Sequence, residues 1–419
     1  MTDEITAGLV LKLSVRAMAH GGEGIADAPD GRVVFIAGAI PGDTVEARLT
    51  RVKKRWARAE LVKVVDPSPH RVRSACPAAA AGAGCCDFAH IDPAVQVSLK
   101  RDVLLGQLGA LASKSGVVEA NVVEKQLRVV ELEPRTGWRT RVRMGVDPQG
   151  RAGMRALKST DVVGGVVCSQ VAPQVLDGII GDDAARYTPG SEIVAVVDFR
   201  GKRHVVETQS AQRGRRVERI HKVLEGPGLV TEVVDGHEFS FPPTAFWQAH
   251  LNAAQTYSDL IKEWGSDNYT HRNGWDLYGG VVAFVPAINE AIGGGRIDSV
   301  DYSASATANP QPVEDEFDVH RHNAKVEVGI SELPAPGLVV LDPPRSGAGR
   351  DVVDKIAQAA PERIIHIGCD PATFARDLAG FGAHGFRVEH IALIDAFPNT
   401  HHFEVMASLV PDHNGGAEE

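Results

Sequence analysis

The alternation of strand and helix patterns after Pro243 constrains the fold more than any other feature of this 419-residue sequence. Short apolar runs such as GLVVLDPP and RIIHIGC alternate with segments whose apolar residues recur at helical spacing, the first of them over residues 245–264. Strands joined by crossover helices run parallel within one sheet. The pattern therefore predicts an α/β fold, with a doubly wound, Rossmann-like domain over residues 236–419.

The first half of the sequence has a different pattern. Residues 1–66 alternate in short strands with Gly and Pro turns, which predicts a small OB-like β-barrel. Residues 67–92, which contain clustered cysteines, and the strand-rich residues 126–235 are assigned to a middle mixed β-sheet domain. Residues 93–125 are expected to be a helical segment that packs on the C-terminal domain.

Chemically useful residues follow the predicted strands of the C-terminal domain. Ligands of open α/β sheets bind beyond the carboxyl ends of the strands, where this sequence places Tyr278, Gly280, Asp301 and Asp342. A glycine turn after one strand and an acid at the end of the next are typical of a nucleoside site. The alternative is a pair of ordinary loops in an unrelated α/β fold.

Cys369 ends another predicted strand and precedes a helix, whose N-terminal amides we expect to lower the thiol pKa. Glu404, on the last predicted strand, is a candidate general base. A thiolate that adds to C6 of uracil activates C5 toward a sulfonium methyl group, and a base then removes the C5 proton. These residues point to C5 methylation of uridine, whereas a lone cysteine is otherwise a small core residue.

Location and redox state follow from what the sequence lacks. It contains neither the ~18 to 20 consecutive apolar residues that cross a bilayer nor the basic-then-apolar order of a signal peptide. We therefore expect a cytoplasmic protein with no membrane partner. Its five cysteines are then expected to bind metal or to catalyse rather than to form disulfides.

The basic residues suggest an RNA surface that the total charge conceals. The formal net charge of −10 argues against a nucleic-acid partner. Basic residues nevertheless cluster in a predicted turn of the barrel, and three arginines alternate in GWRTRVRMG, where period 2 places them on one side of a strand. Ordinary solvated charge is the alternative. The candidate RNA contacts are Lys53, Lys54, Arg55, Arg139, Arg141 and Arg143.

Several motifs together resemble a known family. They are HGGEGIA with VVFIAGAIPGDTVEARL, FWQAHLNAAQ, WDLYGG, LDPPRSGAG and IGCDPATFARDL followed by DAFPNTHHFE. The chain resembles the bacterial RNA 5-methyluridine methyltransferases, in particular the branch with an N-terminal TRAM domain and an iron–sulfur cluster that acts on 23S ribosomal RNA. The resemblance implies a TRAM domain that binds RNA and a class I methyltransferase domain that uses S-adenosylmethionine.

The resemblance also implies roles for individual residues. It makes Cys369 the nucleophile and Glu404 the proton acceptor. The implied contacts of S-adenosylmethionine are Gln248, Tyr278, Asp301, Asn323 and Asp342, to which the glycine turn adds Gly280. The implied ligands of a [4Fe-4S] cluster are Cys76, Cys85, Cys86 and Cys168, for which a structural thiol cluster or a zinc site is the alternative.

The sequence departs from the family pattern at two places. Cys85 and Cys86 are adjacent where the family has C-G-G-C, and adjacent residues of an extended chain point in opposite directions, so a shared cluster needs a distorted backbone. Val282 replaces the last glycine of the cofactor turn and Ala283 occupies a usually polar position, so we expect reduced cofactor affinity.

The identity of the substrate stays open at this point. Ribosomal RNA is favoured over transfer RNA, because the TRAM-like barrel and the cluster cysteines resemble the ribosomal branch. A catalytically impaired RNA-binding homologue is an alternative, motivated by the two departures, and a methyltransferase for a small molecule is disfavoured by the barrel. We expect a monomer.

Overall fold

The computed structural model describes residues 5–111, 125–213, 216–303 and 309–412. Its first five strands are β1 Val10–Met18, β2 Glu23–Asp27, β3 Val33–Ala37, β4 Thr44–Val52 and β5 Trp56–Asp66. They close into a barrel in the order β1-β2-β3-β5-β4. Alternate residues point inward, as period 2 requires, and form an aliphatic core that includes Leu13, Ile36 and Val45. This confirms the predicted β-barrel.

A second, six-stranded sheet occupies the middle of the chain. Its strands are β7 Arg141–Val146, β8 Ala152–Arg155, β9 Val162–Gly164, β10 Glu192–Val197, β11 Arg203–Arg213 and β12 Arg216–Glu225, with a separate hairpin of β13 Val230–Val234 and β14 His237–Phe241. The sheet order is β12-β11-β10-β7-β8-β9, and each described pair is antiparallel. The sheet is thus antiparallel rather than mixed, because hairpins, not crossover helices, join most of its neighbours.

The C-terminal sheet has eight strands. They are β6 Arg128–Glu131, β15 Asn273–Leu277, β16 Arg296–Asp301, β17 Val319–Asn323, β18 Leu338–Leu341, β19 Arg363–Gly368, β20 Phe386–Asp395 and β21 Glu404–Pro411. The order is β17-β16-β15-β18-β19-β21-β20-β6, in which β15 to β19 are parallel and β21 is antiparallel to β19. The α/β prediction for this domain is confirmed.

One strand crosses the predicted domain boundaries. β6 lies within residues 126–235, which the sequence assigned to the middle domain, yet it pairs in parallel with β20 of the C-terminal sheet. A four-residue strand carries no signal of which sheet edge it extends. The remaining division into domains stays a prediction.

The described helices are α1 Pro77–Ala80, α2 Pro93–Leu111, α3 Pro173–Leu176, α4 Ala253–Gly265, α5 Val285–Ala291, α6 Val313–Glu316, α7 Val326–Gly329, α8 Arg350–Gln358 and α9 Pro371–Ala383, with a 3-10 turn over Ile330–Glu332. Helices α1 and α3 pack in the core of the middle sheet. Helices α4 and α5 pack on one face of the C-terminal sheet, and α2, α8 and α9 pack on the other. None of the helices in the described ranges is long and apolar enough to span a membrane.

Helix α2 is fixed to the C-terminal domain by apolar and ionic contacts. It packs against α9, and its Leu104 and Leu108 join the core that contains Phe374. The Lys100 ammonium lies 2.5 Å from an Asp395 carboxylate oxygen, and both side chains are inaccessible to solvent. Residues 112–124 of the predicted helical segment lie outside the described residues.

The helix predicted from residue 245 begins only at Ala253. The backbone of residues 249–251 instead forms hydrogen bonds to the middle domain. The Thr140 amide donates to the Ala249 carbonyl at 3.1 Å, and the Leu251 amide donates to the Trp138 carbonyl at 3.2 Å. These tertiary hydrogen bonds override the local helical pattern, which carries no information about them.

Candidate active site and cysteine site

The strand register brings the predicted cofactor residues to one edge of the C-terminal sheet. Leu277 pairs with both Val300 and Leu341. The next residue along each of the three strands, which is Tyr278, Asp301 or Asp342, therefore lies beside the other two. Asp301 in turn pairs with Asn323. Four of the predicted contacts therefore share one edge.

The turn after β15 exposes backbone toward this edge. Tyr278, Gly280 and Val282 have φ values of 62°, 56° and 62°, in the left-handed region. The Gly280 amide donates to an Asp301 carboxylate oxygen at 3.1 Å, and a Cβ added at Gly280 would meet no atom within 4 Å. Open backbone beside a fixed carboxylate fits the ribose and amino-acid parts of a nucleoside cofactor.

Two of the predicted cofactor contacts are amide side chains outside this turn. Asn323 is exposed at the end of β17, and Gln248 is half-buried in the segment between β14 and α4. Neither side chain forms a hydrogen bond within the part of the chain that the structure describes. Both amides are available to a ligand, and their contact with a cofactor stays a prediction.

Cys369 and Glu404 lie next to each other across the β19–β21 pair. Gly368 pairs with Val405 in antiparallel register. Cys369, which follows Gly368, therefore lies opposite Glu404, which precedes Val405, at the active edge of the sheet. The Glu404 side chain is buried and the Cys369 side chain is partly exposed. This is the arrangement that a nucleophile and a base on one substrate require.

The pKa of the Cys369 thiol is shifted upward, opposite to the direction that the sequence analysis predicts. Burial, together with the carboxylates of Glu404 and Asp342, raises the pKa of Cys369 to about 12, against the opposing charge of Arg345. The first amides of α9 are occupied by the N-cap, because the Asp370 carboxylate accepts from the amides of Ala372 and Thr373 at 3.0 and 2.9 Å. The expectation of a lowered thiol pKa was therefore wrong.

The two acids of the site also have perturbed ionisation. Burial raises the pKa of Asp342 to about 6. Burial and the neighbouring Asp342 raise the pKa of Glu404 well above its ordinary value, which Arg345 opposes. An acid with a raised pKa is a strong proton acceptor once it is ionised, which suits a base that removes a proton from carbon.

Tyr257 is a polar residue of the site that the sequence analysis did not single out. It lies on α4, is fully buried, and its hydroxyl has no hydrogen-bond partner among the described residues. Burial, followed by the charges of Glu404, Asp342 and Cys369, raises its pKa. Its helical spacing indicates only a core residue, so no local signal identifies it.

His20 of the barrel contacts a residue next to the proposed nucleophile. The His20 ring nitrogen lies 2.9 Å from the second carboxylate oxygen of Asp370, the neighbour of Cys369. The loop between β1 and β2 thus contacts the N-terminus of α9.

Four cysteines converge in the middle domain. The Sγ atoms of Cys76, Cys85, Cys86 and Cys168 all lie within 4.8 Å of one another. Cys85 and Cys86 lie in consecutive turns rather than in an extended chain, and their Sγ atoms are 3.7 Å apart. The expected conflict between adjacent cysteines does not arise, because the turn directs both side chains to one side.

The cysteine site also supports the segment that carries Glu404. The Asp87 carboxylate, one residue after Cys86, accepts from the His401 amide at 3.0 Å and also pairs with the His401 ring. The Phe88 amide donates to the Asn399 carbonyl at 3.0 Å. Residues 399–401 lead directly into β21, so the cysteine loop helps to position its first residue, Glu404.

The predicted RNA contacts of the barrel are accessible. Lys53, Lys54 and Arg55, here called the basic turn, are exposed between β4 and β5. The guanidinium groups of Arg51 and Arg58 lie 5.5 and 6.0 Å from the centre of the Trp56 ring beside this turn. Cationic and aromatic groups on one surface are typical of single-stranded RNA binding.

The three alternating arginines do not form a common surface. Arg141 is buried against the Phe241 ring at 5.6 Å, and its terminal nitrogens have no hydrogen-bond partner in the described ranges. Arg143 is exposed but lies 3.0 Å from Glu192, and Arg139 lies over the Trp138 ring at 4.7 Å. Phe241 of the hairpin β13–β14 covers Arg141 but leaves Arg143 exposed. Arg141 is therefore not an RNA contact in this structure.

Comparison with known proteins agrees with this architecture. A family model described as tRNA (Uracil-5-)-methyltransferase matches residues 330–410, and a TRAM domain model matches residues 6–62. An uncharacterized RNA methyltransferase of Corynebacterium glutamicum is 47% identical over 98% of this chain and 99% of its own length. One of Streptomyces avermitilis is 32% identical over 96% of this chain and 99% of its own length.

A solved structure shares the fold. It is the Pyrococcus abyssi tRNA (uracil-54, C5)-methyltransferase in complex with S-adenosyl-L-homocysteine, with a TM-score of 0.70 and 20% identity. The match covers 96% of this chain and all of that one. At this identity the likeness concerns the fold alone.

Proposed function

The chain belongs to the S-adenosylmethionine-dependent RNA (uracil-5-)-methyltransferases, and from this premise we propose that it methylates C5 of one uridine through a covalent bond between Cys369 and C6. The observation that carries the proposal is the juxtaposition of Cys369 and Glu404 across β19 and β21, beside Asp342. The reaction requires a thiol nucleophile, a base, and a cofactor-binding site next to both.

The residues of the chain have separate roles in the proposed reaction. The Cys369 thiol gives its proton to solvent, and its sulfur bonds to C6, which breaks the C5–C6 double bond, places negative charge on the uracil and makes C5 nucleophilic. Gly280, Asp301 and Asp342 would hold S-adenosylmethionine, which would supply the methyl group that C5 takes and would leave as S-adenosylhomocysteine. Glu404 then removes the C5 proton, the bond between sulfur and C6 breaks, and the double bond of the ring re-forms.

The electrostatics of the site support a resting state that is not reactive. With a pKa of about 12, the Cys369 thiol is protonated at neutral pH until positive charge enters the site. A sulfonium group beside the two acids would favour the thiolate, because opposite charge nearby lowers a thiol pKa. The nucleophile is thus expected to become active only after the cofactor binds.

Ribosomal RNA is the proposed substrate, with the basic turn of the barrel as one contact surface. The combination of a TRAM domain with four clustered cysteines favours it. Transfer RNA is the alternative, because the matched family model and the structural neighbour are both named for transfer RNA. The target uridine must leave its stack to reach Cys369, as base-modifying enzymes require.

Trapping of the covalent intermediate tests the proposal. Glu404→Gln removes the base and retains the shape, so we expect a protein–RNA species that survives denaturing electrophoresis in the presence of S-adenosylmethionine. The matched control, Glu404→Gln combined with Cys369→Ala, is expected to yield none. If Glu404→Gln binds both RNA and cofactor but forms no such species, the covalent mechanism is contradicted.

A further inference from the structure

The spacing of the four cysteine sulfurs is narrow. Cys86 lies 3.4 Å from Cys76, 3.7 Å from Cys85 and 3.5 Å from Cys168, and Cys76 lies 3.9 Å from Cys168. The two remaining pairs are within 4.8 Å. The four sulfurs thus approximate a compact tetrahedron.

The size of this tetrahedron discriminates between metal centres. Zinc–sulfur bonds of about 2.3 Å in tetrahedral geometry place ligand sulfurs about 3.8 Å apart. A [4Fe-4S] cluster binds its four cysteines through four different iron atoms with inorganic sulfide between them, which requires the cysteine sulfurs to be much further apart. The residues present therefore fit a single ion and not the cluster that the family resemblance implies.

The surroundings of the sulfurs fit a closed site of negative charge. The Ser169 amide donates to the Cys76 sulfur at 3.5 Å, a contact typical of metal-bound thiolates. The backbone of Arg139 is hydrogen-bonded to the segment that follows Cys168: the Arg139 amide donates to the Gln170 carbonyl at 2.8 Å, and the Ala172 amide donates to the Arg139 carbonyl at 2.9 Å. Four thiolates and one divalent cation carry a net charge of −2, so a cationic residue next to this segment is favourable.

We propose that Cys76, Cys85, Cys86 and Cys168 bind one Zn²⁺ ion in a closed tetrahedral site. Four thiolates saturate such an ion and leave no open position, so its role is structural. Through Asp87 and Phe88 the ion fixes the loop that contacts residues 399–401. The proposal is independent of the methyl-transfer reaction.

Metal and sulfide analysis of the full-length protein tests the proposal. The protein is produced in medium supplied with both iron and zinc, purified without oxygen, and assayed for both metals and for acid-labile sulfide. We expect one zinc per chain, no sulfide and no visible absorption. Four irons with four sulfides and a brown colour would overturn the proposal, and one iron without sulfide would overturn the assignment to zinc.

Two variants and a substitution of the metal complete the test. Cys85→Ala is expected to lower the zinc content severalfold, whereas Cys369→Ala, outside the site, is expected to retain one zinc. If Cys85→Ala does not fold, replacement of the metal by Co²⁺ in the wild-type protein gives an independent readout. Tetrahedral thiolate coordination then produces intense red-region absorption, and its absence would contradict the proposed geometry.

Discussion

The reactivity of Cys369 toward iodoacetamide follows quantitatively from its environment. With a pKa of about 12, the thiolate fraction at pH 8 is about 1 in 10,000, against about 1 in 4 for an ordinary cysteine. The more basic thiolate is intrinsically more nucleophilic, which recovers roughly 40-fold. Alkylation of Cys369 is therefore expected to be about 60-fold slower than that of a cysteine in an unstructured peptide.

The assay is a time course of alkylation between pH 7 and 10, with the Cys369 peptide quantified by mass spectrometry. The rate is expected to rise about tenfold per pH unit without a plateau, because the whole range lies below the pKa. Glu404→Gln removes a carboxylate that raises this pKa, so it is expected to react faster at pH 8. Asp351→Asn, at an exposed position of α8, is the control and is expected to react like the wild type.

A plateau between pH 8 and 9, or a rate equal to that of the peptide, would refute this reasoning. Either result would mean that neither burial nor the neighbouring carboxylates hold the thiol in its protonated form. A Glu404→Gln variant that reacts more slowly than the wild type would contradict the sign of the electrostatic argument.

Three further predictions concern stability, RNA binding and turnover. Lys100→Met is expected to lower the free energy of unfolding in urea by about 3–5 kcal/mol, because the buried Asp395 carboxylate loses its close ammonium partner and keeps only the Arg135 guanidinium at 3.5 Å, and a second change of Asp395→Leu is expected to restore most of it. Replacing the three residues of the basic turn by alanine is expected to weaken RNA binding and to reduce its logarithmic salt slope by about 2, whereas Arg350→Ala, exposed on α8, changes neither. Tyr257→Phe is expected to unfold like the wild type, since its hydroxyl has no partner among the described residues, but to methylate RNA more slowly.

The sequence predicts the active edge of the C-terminal sheet because strand order and motif position are linked. Asp301, Asp342 and Cys369 each end a recognisable strand, and parallel strands bring their carboxyl ends together. The barrel is also predictable from the sequence, since short strands joined by glycine turns form few other compact folds.

Features that depend on tertiary contacts are not predicted. The direction of the Cys369 pKa shift depends on the capping of α9 by Asp370 and on burial next to Glu404, neither of which a local pattern shows. The burial of Arg141 depends on a hairpin that is about 100 residues away in the chain. The start of α4 at Ala253 depends in the same way on hydrogen bonds to another domain.

The spacing of the cysteine sulfurs is likewise a property of the fold. The sequence shows four cysteines and an unusual adjacent pair, which is compatible with an iron–sulfur cluster, a zinc site or unligated thiols. Only the turns that hold Cys85 and Cys86 determine the distances on which the choice depends. The family resemblance implies an iron–sulfur cluster, whereas the spacing of the sulfurs is the basis for the zinc site proposed above.

The most direct test of the central claim is methyl transfer from labelled S-adenosylmethionine to ribosomal and transfer RNA pools that lack 5-methyluridine. Wild-type protein and Cys369→Ala are compared, and the RNA is digested to nucleosides. We expect label in 5-methyluridine from the ribosomal pool with the wild type alone. Label in 5-methyluridine from the transfer RNA pool would show that transfer RNA, not ribosomal RNA, is the substrate. No label in either pool, with RNA and cofactor still bound, would contradict the proposed reaction.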